Sequence, residues 1–302
     1  MQEQKSQIIS SSGDPLLSNK ETGRSKERKQ ENSEFVSVIV KRTDETFRHP
    51  DDILEKAIQE GKEQLERPAA SLFLSAVAAG MILCFSVLAV AVMASLIPDL
   101  SQGLNKVVIA AVYPLGFVLC ILSRTQLFTE HTATAVYPVL DGKSSLNKLF
   151  RLWAVVVGGN LIGGAASAGL LNIAEEVIHA SRGYAILAEH LMHFSTITLF
   201  VSAILAGWLM ALGAWIVLST YSTLSQIFSI YIVTFIIGLG GLHHSIAGSI
   251  ELFAAYFASD IVSFWELVPI ILTVLAGNMV GGSVFVAVLN YGHIRHSQRS
   301  ND

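Results

Sequence analysis

The sequence predicts an all-α membrane protein whose six spans form two inverted halves, with the second and fifth spans broken. Three observations lead there. Charge is segregated: residues 1–67 hold 26 of the 44 Asp, Glu, Lys and Arg residues, and the remaining 235 residues hold 18. A water-soluble domain is about a quarter charged, so the second region needs lipid around it. The chain also repeats itself. Gly159-Asn160-Leu161-Ile162-Gly163-Gly164-Ala165 returns as Gly277-Asn278-Met279-Val280-Gly281-Gly282-Ser283, and Phe73–Leu83 returns as Phe200–Met210. Finally, polar residues interrupt two apolar spans at corresponding places in the two copies, the pattern of broken helices built around a midplane site.

Residues 1–48 are rich in Ser, Lys, Glu and Gln and bury too little apolar area to offset ordering entropy, so residues 1–50 read as a disordered polar tail. Phe35–Val40 is a short apolar exception, read as an extended contact segment. Ile53, Leu54, Ala57, Ile58 and Leu65 then recur at helical spacing behind early acids, predicting an amphipathic helix over 51–67. Arg67-Pro68 marks the membrane entry of a six-span domain over 68–292, and 293–302 forms a C-terminal tail.

A crossing needs about 20 apolar residues. The spans fall near 69–97, 107–140, 149–173, 191–218, 225–258 and 264–291. The second and fifth are too long for one simple helix. Ser123 to His131 interrupts the second, and His243-His244-Ser245 the fifth. Three spans per half is odd, so the halves are inverted and both termini share a side. Loops on that side carry Lys143, Lys148, Arg151, Arg295 and Arg299, against Lys106 and Arg182 opposite. The excess of positive charge makes that side cytoplasmic. Gly159, Asn160, Gly163, Gly277, Asn278 and Gly281 let the third and sixth helices approach their neighbours closely.

A net charge of −4 gives no nucleic-acid surface. Cys84 and Cys120 lie in apolar spans and read as small buried hydrophobes. His190-x-x-His193 and His293-x-x-His296 have a metal-compatible spacing but sit at span ends, where histidine is a common interfacial residue. Glu189 is misplaced for a zinc-protease helix. No metal, cofactor or enzyme site is expected. The four tryptophans read as interfacial belt or packing residues.

The chemistry is expected at the breaks. Thr129 and Ser245 each precede an apolar half-helix and could serve as its N-cap. Two half-helix N-termini would then present unpaired N–H groups and partial positive charge to a small anion. Leu127 and Phe128 would form an apolar constriction. His244 lies where ionisable side chains are rare and usually functional; burial disfavours its charged form, so a neutral ring would donate an N–H to the solute. Arg124 could pair with Glu130 across the first break or contact the solute directly. Glu251, beyond His244, could be a packing contact between subunits or a partner of His243 or Arg124.

Leu127-Phe128-Thr129 after Gly116-Phe117-Val118-Leu119, His244-Ser245-Ile246-Ala247, and Gly277-Asn278-Met279-Val280-Gly281-Gly282 closely resemble the formate/nitrite transporter family. The similarity covers residues 69–292, and the long tail resembles an uncharacterised branch of bacterial inner-membrane members. The resemblance implies an aquaporin-like six-helix protomer, a homopentamer with one pore per protomer, and passage of small monovalent anions such as formate, nitrite or hydrosulfide, sometimes with a proton. Thr129 and His244 match the family's central threonine and histidine, and Leu127 and Phe128 its constriction. Departures accompany the match. The family usually has an acid at Gln126, asparagine at Gly207 and Gly248, glutamate at His243, often lysine at Leu191, and commonly glycine at Arg124. The expected function is a channel or proton-coupled transporter for a small anion or its conjugate acid. A pore for neutral small solutes keeps the fold; a nonconducting scaffold or sensor that binds a partner through the tail is the alternative of another class.

Overall fold

A computed structural model describes residues 48–97, 101–259 and 262–300. The first 47 residues of the expected tail, with the Phe35–Val40 segment, lie outside the described residues. Every described element is helical, and six helices are long and apolar enough to cross a membrane: Ala69–Leu96, Gly103–Leu122, Leu146–Ile173, Thr196–Ser219, Thr223–Gly240 and Phe264–Ser297. Large side chains such as Leu74, Leu96, Phe150, Ile197 and Trp265 stand exposed on their outer faces. Such a surface is stable against lipid or another protomer, not water. The protein is a multi-pass membrane protein.

Helix α1 (Pro50–Glu66) starts with proline in its first turn and Asp51 and Asp52 beside its N-terminus, all favourable to initiation. It buries Ile53, Leu54, Ala57, Ile58 and Leu65 along one stripe. The first half follows as α2 (Ala69–Leu96), α3 (Gln102–Val112), α4 (Pro114–Leu122), α5 (Phe128–Thr134), α6 (Tyr137–Leu140) and α7 (Leu146–Ile173). A short α8 (Glu175–Ile178) and α9 (Ser181–Met192) lead to the second half: α10 (Thr196–Ser219), α11 (Thr223–Gly240), α12 (Ser245–Ala258) and α13 (Phe264–Gly282). Helix α13 continues through a π-helical stretch, Ser283–Val288, into α14 (Leu289–Ser300).

The halves repeat the same packing. Helix α2 lies against α7, and α10 against α13. A Cβ on Gly159 would come within 2.6 Å of the Ala76 Cβ, and one on Gly163 within 2.1 Å of the Val77 carbonyl oxygen. In the second half a Cβ on Gly277 would meet the Ala203 Cβ at 2.6 Å, and one on Gly281 the Ile204 carbonyl oxygen at 2.2 Å. Any larger residue would push the backbones apart.

Two expected boundaries shift. The second span is divided further, at Tyr113-Pro114 and again between α5 and α6, where Pro138 occupies the first turn of α6. The fourth span begins at Thr196 because the Ser195 side chain accepts from the Thr198 N–H and starts a new helix, leaving residues 191–192 at the end of α9.

An ion cluster closes the terminal side. The Asp141 carboxylate, after α6, lies 2.8 Å from Lys143 and 2.7 Å from Arg295 of α14, and accepts from the Tyr291 hydroxyl at 3.1 Å. Glu55 of α1 reaches the same Arg295 at 2.7 Å. Burial pushes the Asp141 carboxyl up, but hydrogen bonds from Lys143, Arg295 and Tyr291 outweigh it and hold it below its ordinary 3.8.

Candidate functional site

The two interruptions have one construction. Each opens with a left-handed residue, Arg124 at φ +56° and Gly241 at φ +60°. Four residues later the first N–H of the next half-helix donates to a buried asparagine: Phe128 N–H to Asn160 Oδ1 at 2.9 Å, and Ser245 N–H to Asn278 Oδ1 at 2.7 Å. The asparagine amides then donate twice. Asn160 Nδ2 reaches the Ala76 and Gln126 carbonyls, both at 2.8 Å. Asn278 Nδ2 reaches the Ala203 carbonyl at 2.7 Å and the His243 carbonyl at 3.0 Å. Each asparagine is a bracket that ties a break to the facing helix and supplies backbone partners that water cannot supply in lipid. The sequence presents both only as packing residues. Their signal was available: an uncharged polar side chain inside an apolar span, repeated in both copies.

This bracket corrects the expected caps. Thr129 does not cap α5 and Ser245 does not cap α12. The flanking residues are Leu127, which makes no side-chain cap bond, and His244, whose Nδ1 accepts from the Ala247 N–H at 3.2 Å. With the first N–H already satisfied from a neighbouring helix, Thr129 turns elsewhere. Helix α5 is only seven residues long, so the dipole expected at its start is small. Its carbonyls are instead satisfied one by one. Thr132 Oγ1 donates to the Thr129 carbonyl, Thr134 Oγ1 to Glu130, Trp153 Nε1 to His131, and Ser283 Oγ to Thr132.

At the centre the halves meet. Thr129 Oγ1 and His244 Nε2 lie 2.9 Å apart, both residues buried. Because His244 Nδ1 is an acceptor, the ring proton of the neutral form belongs to Nε2, which donates to Thr129. The threonine hydroxyl keeps its own proton for another acceptor. Phe117 stands edge-on to the imidazole, with centroids 4.9 Å apart. Leu127 and Phe128 are buried beside the pair, and Phe128 packs edge-on against Trp153.

The remaining candidates spread outward. Arg124 is exposed and makes no ion pair with Glu130 among the described residues, so the expected bridge across the break is not formed. Gln126 and His243 are buried, their carbonyls held by the two brackets. Gln126 Oε1, His243 Nε2 and Ser245 Oγ are buried without a partner among the described residues; leaving a buried polar group unpaired costs about 1–3 kcal/mol each. A cavity of about 220 Å³ reaches His244 from the side away from the termini, lined also by His243, His190, Lys106, Leu191 and Glu251. Glu251 faces this space on α12, and no described residue forms an ion pair with it.

The family model described as formate/nitrite transporter matches residues 51–292. The chain belongs to the formate/nitrite transporter family. Among its family relatives, it is 31% identical over 251 residues to the inner membrane protein YfdC of Escherichia coli K12, covering 79% of this chain and 76% of that one. It is 26% identical over 214 residues to the formate channel FocA of Haemophilus influenzae, covering 62% of this chain and 73% of the relative. Among solved structures, a chain titled FNT family ion channel superposes with a TM-score of 0.74 at 20% identity, over 81% of this chain and 99% of that one. Another, titled pentameric formate channel with formate bound, gives 0.67 at 22% identity, over 76% and 98%. The aquaporin-like fold of this formate/nitrite transporter family member is therefore established by sequence and shape together. Of the six positions set apart in the sequence, three, Leu191, His243 and Gly248, line the cavity that leads to His244.

Proposed function

We propose that the protein is a channel or proton-coupled transporter for a small monovalent anion, of the formate, nitrite or hydrosulfide type, or for its conjugate acid. It works as a homopentamer in a bacterial inner membrane with both termini cytoplasmic. The Thr129–His244 contact carries this reading: a hydroxyl and an imidazole N–H meet in a dry, apolar setting where the two halves converge. Family membership, the relatives named formate channels and the pentameric neighbour support it.

The chemistry follows from the fixed tautomer. An arriving solute oxygen can take the Thr129 hydroxyl proton as a hydrogen bond, or displace Thr129 and accept from His244 Nε2–H. Either donor replaces water lost at the Leu127–Phe128 constriction. A bare charge at the bilayer centre costs about 2.5–3.5 kcal/mol on insertion scales; a proton that travels with the solute turns it into the neutral acid and removes most of that cost. Flux of formate, nitrite, hydrosulfide and acetate into vesicles containing the purified protein is the test. His244→Ala is expected to lower flux at least tenfold, and unchanged flux would defeat the assignment.

One observation favours a second reading, a pore for neutral solutes. The cavity wall carries the Glu251 carboxyl and the apolar Leu191, neither of which attracts an anion. Lys106 in the same wall opposes it. Flux insensitive to membrane potential would select the neutral pore over anion conduction.

A further inference from the structure

His243 is fixed more firmly than a spacer before His244 needs to be. Its carbonyl is held by Asn278 at 3.0 Å. Its ring stacks on His190 with centroids 5.7 Å apart and planes within 11°, and Phe194 stands edge-on at 5.4 Å. Ser202 Oγ lies 2.7 Å from Nδ1 and also accepts the His243 backbone N–H at 3.2 Å. Of the two tautomers this contact admits, we take the one in which the hydroxyl donates to Nδ1 and the ring's own proton sits on Nε2. In that tautomer the Nε2–H is buried and has no acceptor among the described residues. His243 is only 5% exposed, yet it forms part of the wall of the cavity that ends at His244. Glu251, His190, Tyr113, Lys106 and His244 itself are the other titratable groups of that wall, and Lys106 brings it a positive charge.

We propose that His243 is a docking donor: a small monovalent anion or its conjugate acid rests in this cavity with an acceptor oxygen on the His243 Nε2–H before reaching Thr129 and His244. The inference rests on the small-anion reading and adds a second station to it. What the N–H lacks is an acceptor, and the solute brings one. A ring held by Ser202, His190 and Phe194 loses little freedom when it binds. Lys106 draws the anion toward the cavity, and His243 supplies the short-range contact.

The test is saturation of formate uptake by the full chain in vesicles, with three substitutions. His243→Phe removes the donor and keeps a flat ring. It is expected to raise the half-saturating concentration at least fivefold, about 1 kcal/mol, and by more than it lowers maximal flux. His243→Gln places an amide N–H near the Nε2 position and is expected to stay within twofold of the parent concentration. Ser202→Ala frees Nδ1 to hold the ring proton and is expected to raise the concentration two- to fivefold. An unchanged value in His243→Phe overturns the proposal, and so does an equal rise in Phe and Gln variants, which marks a role in shape alone. If the Phe variant does not assemble at the parent size, Ser202→Ala decides, and an unchanged value there overturns the proposal. A silent parent protein, or one indifferent to His244→Ala, defeats the anion reading itself. A conducting parent that needs His244 but not His243 defeats only the docking station.

Discussion

Arg124 holds a backbone conformation that glycine adopts freely, at φ +56°. A left-handed non-glycine residue costs about 1–2 kcal/mol, and the equivalent turn in the second half uses Gly241. Arg124→Gly is therefore expected to stabilise the protein by about 1 kcal/mol, read as a higher unfolding midpoint in detergent; a lower midpoint would show that the guanidinium repays the strain. The brackets behave oppositely. Asn160→Ala strands the Phe128 N–H and the Gln126 carbonyl, and removes a second hydrogen bond from the Ala76 carbonyl. At about 1–3 kcal/mol per stranded group, a loss of roughly 2 kcal/mol or more is expected in equilibrium unfolding. At the central pair, Thr129→Val keeps the shape and removes the hydroxyl. It is expected to cut flux about tenfold and to cost no more stability than one stranded group, the His244 Nε2–H, about 1–3 kcal/mol.

At the scale of elements, close helix contact and charge do separate work. Helices α2 and α7 touch where Gly163 faces the Val77 carbonyl. Gly163→Leu is expected to separate them and abolish recovery of a monodisperse oligomer by size-exclusion chromatography, whereas the same change at Gly158, whose added Cβ would meet nothing, is expected to be tolerated. The ion cluster fastens α1 to α14 through Asp141, Arg295 and Glu55. Since the folded Asp141 carboxyl lies below its ordinary 3.8, its contribution is complete above that value and is lost as pH falls through the lower, folded one. Amide exchange in α1 and α14 is accordingly expected to rise only in strong acid in the parent, and already at neutral pH in Asp141→Asn.

For the whole molecule, the repeat, the six spans and their breaks were legible because they rest on hydropathy, count and composition, which are properties of segments. The positions of Thr129 and His244 were legible as residues, but not their contact: they are 115 residues apart, and only the fold brings them to 2.9 Å. The caps were misassigned for a related reason. A local reading gives a helix start to the nearest hydroxyl, while here the donor's partner arrives from another helix, through Asn160 and Asn278. Sequence spacing also could not show that Arg124 and Glu130 form no ion pair.

One consequence follows from the matching turns. Counting from their left-handed residues, Leu127 and His244 occupy the same place, each just before the N–H that its bracket holds. A duplicated frame has thus been given two tools at one socket, a greasy one that keeps solvent out and a polar one that greets the traveller. Because the frame is carried by asparagine and glycine rather than by either tool, the sockets are free to specialise independently, and a change of cargo can be written there without redrawing the fold.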